Sequence, residues 1–302
     1  MNDLSNKQST ASQLSRMRTF LFGALAFMWF AEMVQWGFLA STGGWQDIWK
    51  DIAPQLATAL LITHAIRAAA KGALGVMAVF GLRSKNPATR TALFVSMALV
   101  PPLNIIFPCR ADGFPLGTTA VASIFSVILW TSFLLFKEPI QQSRSSVQVP
   151  PSRWETIQYL WFAVNSTALT LIALFFLSSP RTALDFVFPS LSDLFHSYET
   201  GLASMTSSNL SSGTHLLTLA IASWIATIYS RNNTTLQKAM SFAIVVNAGL
   251  SCLLPLRRVI LEIGGSSAAS SILVAFVPLL IGWLFYAVFS YRVKPKQQEA
   301  YT

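Results

Sequence analysis

Residues 19–40 read TFLFGALAFMWFAEMVQWGFLA, an apolar run that is long enough as a helix to cross the roughly 30 Å hydrocarbon core of a bilayer. A second run, residues 55–82, has a similar length and composition. Of all 302 residues, 53% are hydrophobic and 11% are charged, and the mean hydropathy is +0.52. These values predict an all-α, polytopic membrane protein.

Eight segments fit transmembrane helices by length and apolarity. They are residues 19–40, 55–82, 89–108, 117–136, 156–178, 213–230, 238–256 and 267–291. Lysine and arginine collect in the N-terminal tail, in the second, fourth and sixth loops and in the C-terminal tail. Because basic residues mark the cytoplasmic side, both termini are predicted to be cytoplasmic. The net charge of +9 indicates attraction to anionic membrane lipid and gives no reason to expect nucleic acid as a partner.

The chain also resembles itself over its two halves. Leu103 and Pro108 recur 147 positions later as Leu250 and Pro255. Upstream, Thr63-His64 recurs as Thr214-His215, and Trp29-Phe-Ala31 as Trp161-Phe-Ala163. We therefore predict two tandem four-helix units, residues 1–136 and 155–302, joined by a cytoplasmic linker at 137–154. The second unit carries a longer outer segment, 179–212, with an expected interfacial helix and a flexible serine-rich stretch at 204–212.

Charged side chains mark the predicted functional site, since charge is costly inside a bilayer. Glu32 lies in the first span, and His64, Arg67 and Lys71 lie in the second. The spacing i, i+3, i+7 places these three on one helical face. At about 1.5 Å of rise per residue, Glu32, Arg67 and Lys71 lie at a similar depth, which predicts a contact between Glu32 and this face, with Arg67 considered as the ion-pair partner.

Aromatic residues flank Glu32 at helical spacing. Trp29 and Trp36 share its face, and Gln35 lies beside them. Aromatic rings stabilise cations through their negative faces, and a carboxylic acid among them suits protonation of an alkene or an epoxide. Glu32 is therefore the predicted catalytic residue. The predicted substrate-binding residues are Trp29, Gln35, Trp36, His64, Arg67 and Lys71.

Three functions from different classes fit these residues. The first is a membrane-embedded enzyme that acts on a lipophilic isoprenoid substrate by acid-initiated cyclisation or isomerisation. The second is a carrier for a small anion or for protons, and the third is a non-catalytic assembly or scaffold protein with a structural ion pair. A carrier should place similar demands on both units, whereas the charges lie in one, so the enzyme ranks first. With three histidines and no cysteine cluster, we expect no metal site and no cofactor.

In size, layout and the Trp29–Trp36 environment of Glu32, the chain resembles the small integral-membrane terpene cyclases of meroterpenoid pathways. That resemblance implies an acidic residue acting among aromatics within a helix bundle, without the metal-binding aspartate motifs of soluble cyclases. The chain departs from that family in its eight predicted spans, against about seven, and in its duplication. By layout it also resembles duplicated four-helix membrane proteins of the DoxX kind.

Overall fold

The computed structural model describes residues 2–42, 54–107, 116–136, 153–187, 199–228 and 234–262, which form nine helices and no strand. The helices are α1 (Asn2–Thr42), α2 (Pro54–Arg83), α3 (Pro87–Ala98), α4 (Val100–Ile106), α5 (Leu116–Phe136), α6 (Arg153–Ser178), α7 (Pro180–Val187), α8 (Glu199–Ile228) and α9 (Thr234–Glu262). The predicted all-α fold is confirmed for this part of the chain.

Within the described part of the chain, four stretches are long and apolar enough to cross a membrane: Ser15–Phe38, His64–Arg83, Pro87–Ile106 and Tyr159–Ser178. Large apolar side chains are exposed along one face of α1, α5 and α6. They include Phe20, Phe27, Val127, Leu134, Val164 and Leu171. Such a surface is ordinary for helices that face lipid and unusual for helices that face water. The fold is that of a membrane-embedded helical protein.

The central helix is α2, which packs against α1, α8 and α9. Ala65, Ala68, Ala69, Ala70 and Ala73 of this helix are fully buried. Small residues let helix backbones approach closely, as membrane bundles require. Three glycines of α2 face α1: Gly72 lies against Met33, Gly75 against Phe30 and Gly81 against Phe22. The residue numbers of the contacts fall along α1 as they rise along α2, so the two helices are antiparallel.

Two predicted elements differ from the structure. The span at 89–108 is divided between α3 and α4 at Leu99, because Pro101 and Pro102 have no backbone N–H to continue the ladder of hydrogen bonds. The serine-rich stretch 204–212, expected to be flexible, is helical within α8. Ser211 and Ser212 are buried there, and a buried backbone must satisfy its polar groups internally. The described part of the outer segment 179–212 therefore consists of α7 and the first turns of α8.

Several predicted features lie outside the described residues. They are the span at 267–291, most of the linker at 137–154, and the residues between Val187 and Glu199 that were expected to complete an interfacial helix.

Helices α2 and α8 resemble each other in burial. Most buried positions of α2 recur in α8 at an offset of 145. The partly exposed positions 76, 79 and 80 of α2 match 221, 224 and 225 of α8 at the same offset. At this offset His64 corresponds to Asn209, whereas the sequence comparison matched His64 with His215. A slip of six residues would turn the helix by about 240° and bring a different face to the core.

A similar comparison relates α1 to α6. The order of buried and exposed positions over 21–30 recurs over 161–170, with Phe22 and Phe162 both buried, an offset of 140. Ile172 then occupies the position of Glu32, where the sequence repeat had suggested Val164. For α3 and α4 against α9, burial follows the predicted offset of 147. Under either register the charged residues have no charged counterpart in the second half.

Candidate functional site

The site begins with an ion pair between α1 and α2. The carboxylate of Glu32 contacts the ammonium group of Lys71, whose side chain is 4% exposed, against 33% for Glu32. The predicted partner was Arg67. The contact falls on Lys71 because Phe30 and Met33 pack against Gly75 and Gly72, which sets Glu32 level with Lys71 rather than with the turn before it.

Glu32 is chemically isolated within the helices that the structure describes. Apart from Asp185 in the short α7, the acidic residues of these helices lie in a first or last turn: Asp3, Glu155, Glu199 and Glu262. Among the described helices, Glu32 is thus the acidic residue that lies well inside a long helix, where it contacts the ammonium group of Lys71.

Each tryptophan of the site takes one cation on its face. The Lys71 ammonium nitrogen lies 5.0 Å from the ring centroid of Trp29, and the Arg67 guanidinium carbon lies 4.3 Å from that of Trp36. Both distances fall within the range of cation–π attraction. The antiparallel packing explains the pattern, since Trp29 and Trp36 advance along α1 as Lys71 and Arg67 recede along α2.

Each tryptophan also contacts a histidine. The rings of Trp36 and His64 lie 4.6 Å apart at 35°, and the rings of Trp29 and His215 lie 6.3 Å apart at 88°, edge to face. His215 belongs to α8, so the second half of the chain contributes to the site. From the sequence alone, His215 was notable as a residue of the internal repeat. The rarity of histidine, with three in the whole chain, was the signal that could have found it.

Of the seven predicted site residues, the structure brings six together. Glu32, Trp29, Trp36, His64, Arg67 and Lys71 form one group, which with His215 we call the charged cluster. Gln35 is exposed on α1 and does not share the buried face.

The charged cluster carries a surplus positive charge. Glu32 balances Lys71, whereas the buried Nε of Arg67 has no hydrogen-bond partner among the described residues. The buried Trp29 Nε1 and His215 Nε2 are likewise without a hydrogen-bond partner in that part of the chain. A buried polar group without a partner is unfavourable by about 1–3 kcal/mol, so a set of them points to a ligand with complementary groups. The described residues hold no group of three metal-ligating side chains.

A second polar region lies between α6 and α8 and has its partners within the protein. Ser166 Oγ lies 2.6 Å from Ser223 Oγ, and the Trp224 indole donates to Thr170 Oγ1 at 3.1 Å. This region holds two helices together by hydrogen bonds and carries no charge.

The fold and the site define a class: a helical membrane protein with a charged, aromatic-lined cluster in its interior. No protein family, no curated protein and no solved structure matches the chain.

Proposed function

We propose that this chain is a membrane-embedded enzyme that acts on a lipophilic, isoprenoid-type substrate by acid-initiated cyclisation or isomerisation. The observation that carries the proposal is the Glu32–Lys71 pair beside the face of Trp29. A carboxylate and an ammonium in contact hold one labile proton between them, and in an apolar interior such a pair titrates as a unit. The pair is therefore a proton source placed next to a cation-stabilising ring.

The proton balance of this reaction is simple. The pair donates its proton to an alkene carbon or an epoxide oxygen, which leaves Lys71 neutral and the substrate cationic. The Trp29 face and the Glu32 carboxylate, no longer engaged by an ammonium, then stabilise the carbocation. After the ring closes or the double bond moves, the intermediate loses a proton back to the pair. The product is an isomer of the substrate, with unchanged mass.

Arg67 has a separate role in this proposal. Its guanidinium lies on Trp36 and has no carboxylate partner among the described residues, so it is suited to a polar or anionic head group. The ring of His64 also contacts Trp36, so His64 shapes the same region. The apolar tail of the substrate would lie along the lipid-facing side of α1, where Glu32 is partly exposed.

The proposal is tested with membranes that contain the protein. We would incubate them with prenylated alcohols, prenyl monophosphates and their terminal epoxides, and search by mass spectrometry for new species of unchanged mass. Membranes with Lys71→Gln, at matched protein level, are the control. An isomer that forms only with the wild type supports the enzyme. Absence of any isomer across the panel contradicts it.

A second function is favoured by the surplus charge alone. Arg67 without an acidic partner also suits a carrier for a small anion. Anion efflux from proteoliposomes that is abolished by Arg67→Gln would favour the carrier, and efflux equal to that of protein-free liposomes would dismiss it.

The proposed architecture is eight spans in two four-helix units with both termini cytoplasmic. The helix contacts support two units, since α1 packs on α2 as α6 packs on α8. Likewise α2 packs on α9 as α8 packs on α3 and α4, and α2 and α8 contact each other. These contacts are those expected around a pseudo-twofold axis between α2 and α8.

A further inference from the structure

His215 is the residue of the charged cluster whose chemistry the proposed function leaves unused. It is 1% exposed, and its ring meets the Trp29 ring edge to face. Its Nδ1 lies within hydrogen-bond distance of the Ser211 carbonyl oxygen, one turn earlier in α8. A carbonyl oxygen accepts and never donates, so Nδ1 carries the proton.

The contact between Nδ1 and the Ser211 carbonyl determines the protonation of the other ring nitrogen, Nε2. With the proton on Nδ1, the neutral imidazole presents a lone pair at Nε2. Nε2 lies on the side of the ring away from the α8 backbone, is buried, and has no hydrogen-bond partner among the described residues. The His215 ring and the Lys71 ammonium group both contact the ring of Trp29, so a second proton on the imidazole would add a third positive charge to the cluster.

We infer that His215 Nε2 is a substrate-binding acceptor, so that the head group of the ligand carries both a negative oxygen, held at Arg67, and an O–H or N–H donor, held at His215. The inference rests on the proposed function and narrows its substrate class. A plain alcohol has the donor without the charge, and a fully esterified acid has neither. The monoanion of a phosphate monoester has both.

Three probes with the same farnesyl tail separate these features. Farnesyl monophosphate, at a pH where its monoanion is abundant, has charge and donor; farnesyl methyl phosphate has charge alone; farnesol has the donor alone. We would measure their affinities for the full chain in nanodiscs, and follow the ring nitrogens of labelled histidine by NMR. With three histidines in the chain, His215→Asn and His64→Asn assign the signals.

The wild type should bind farnesyl monophosphate about tenfold more tightly than its methyl ester, the value of one good hydrogen bond, and the His215 Nε2 resonance should move with the monophosphate only. His215→Asn keeps a group at the Nδ1 position but does not reach the Nε2 position, so it should bind both phosphates equally. His215→Gln, whose amide oxygen reaches the Nε2 position, should restore the difference. Arg67→Gln should weaken both phosphates relative to farnesol.

Equal binding of the two phosphates by the wild type overturns the inference without any variant, and leaves the proposed function standing. A free protein in which Nε2 carries the proton also overturns it. Failure of every probe to bind removes the substrate class of the proposed function, and the inference with it.

Discussion

At the residue scale, the Glu32–Lys71 contact is the ion pair that joins α1 to α2 within the charged cluster. Lys71→Glu would place two carboxylates in contact inside the bundle, and we expect a loss of about 3–5 kcal/mol of stability. The double reversal Glu32→Lys with Lys71→Glu restores opposite charges and should recover most of that loss. Thermal unfolding of the single and double variants in one detergent measures the coupling. Additive losses in the double variant would show that the pair contributes nothing.

For Arg67 we expect the opposite effect of substitution on stability. It is a half-buried cation whose buried Nε has no hydrogen-bond partner among the described residues, so Arg67→Gln removes an unfavourable charge and should leave the melting temperature unchanged or higher. Binding of farnesyl monophosphate should fall at least tenfold, since a charge-assisted contact is lost. Arg67→Lys, which keeps the charge and loses the planar contact with Trp36, is the matched control and should fall in between. A large fall in stability with unchanged binding would mean that Arg67 is structural.

The sequence predicted which residues gather, and missed how they pair. Helical spacing was enough to place His64, Arg67 and Lys71 on one face, because that periodicity is fixed by the backbone. Depth counted from helix ends suggested Arg67 as the partner of Glu32. The actual register depends on how Phe30 and Met33 fit the glycines of α2, which is a packing property that no spacing reveals. His215 was missed as a site residue because α8 had to be placed before its ring could be.

At the element scale, the close approach of α1 and α2 depends on glycine. A Cβ at Gly75 would meet the Phe30 ring at 2.9 Å, so Gly75→Ala must displace a ring that packs against the core. We expect a loss of about 1–3 kcal/mol, as for overpacked cores, together with reduced Glu32-dependent activity. Thermal unfolding and the isomer assay on the same sample measure both.

Gly23 supplies the matched control on the partner helix. A Cβ there has no atom within 4 Å among the described residues, and alanine is the better helix former. Gly23→Ala should therefore leave stability unchanged or raise it by up to about 1 kcal/mol. Equal effects of the two substitutions would argue that the α1–α2 interface is looser than the structure indicates.

Helix positions were more predictable than helix character. The apolar runs at 55–82, 117–136 and 156–178 coincide closely with α2, α5 and α6, because length and apolarity define a membrane helix. The serine-rich start of α8 was expected to be flexible because of its composition. The Ser211 hydroxyl donates to Asn104 Oδ1, and just beyond the stretch the Thr218 hydroxyl donates to the Thr214 carbonyl, so such side chains are compatible with a buried helix.

At the scale of the whole molecule, the proposed topology makes a direct prediction. Reporter fusions at residues 86, 145 and 234 should be cytoplasmic, and a fusion at 195 should be on the opposite side, because basic residues alternate between loops. The side on which each fusion lies is measured with two reporters, one active only in the cytoplasm and the other active only on the opposite side. Residue 195 on the same side as 145 would contradict the eight-span arrangement.

The repeat inferred from the sequence agrees with the burial pattern over part of the chain. Matching residue types align α3 and α4 with α9 at an offset of 147, and the buried positions of these helices recur at the same offset. For α2 and α8, two matching residues at 63–64 and 214–215 outweighed the burial pattern, which only the packed helices reveal. Glu32, Arg67 and Lys71 have no charged counterpart in the second half of the chain, so the two halves differ where the site lies.

The most direct test of the central claim is Glu32→Gln, with isomer formation and thermal stability measured on one preparation. The amide keeps the shape and removes the ionisable acid, so the enzyme should remain folded and lose activity by about 10²-fold or more. Lys71 without its partner predicts the alternative, a structural pair whose loss destabilises the bundle. Stable protein without product is the result that the proposed mechanism predicts. Unstable protein whose folded fraction turns over at the wild-type rate would contradict it.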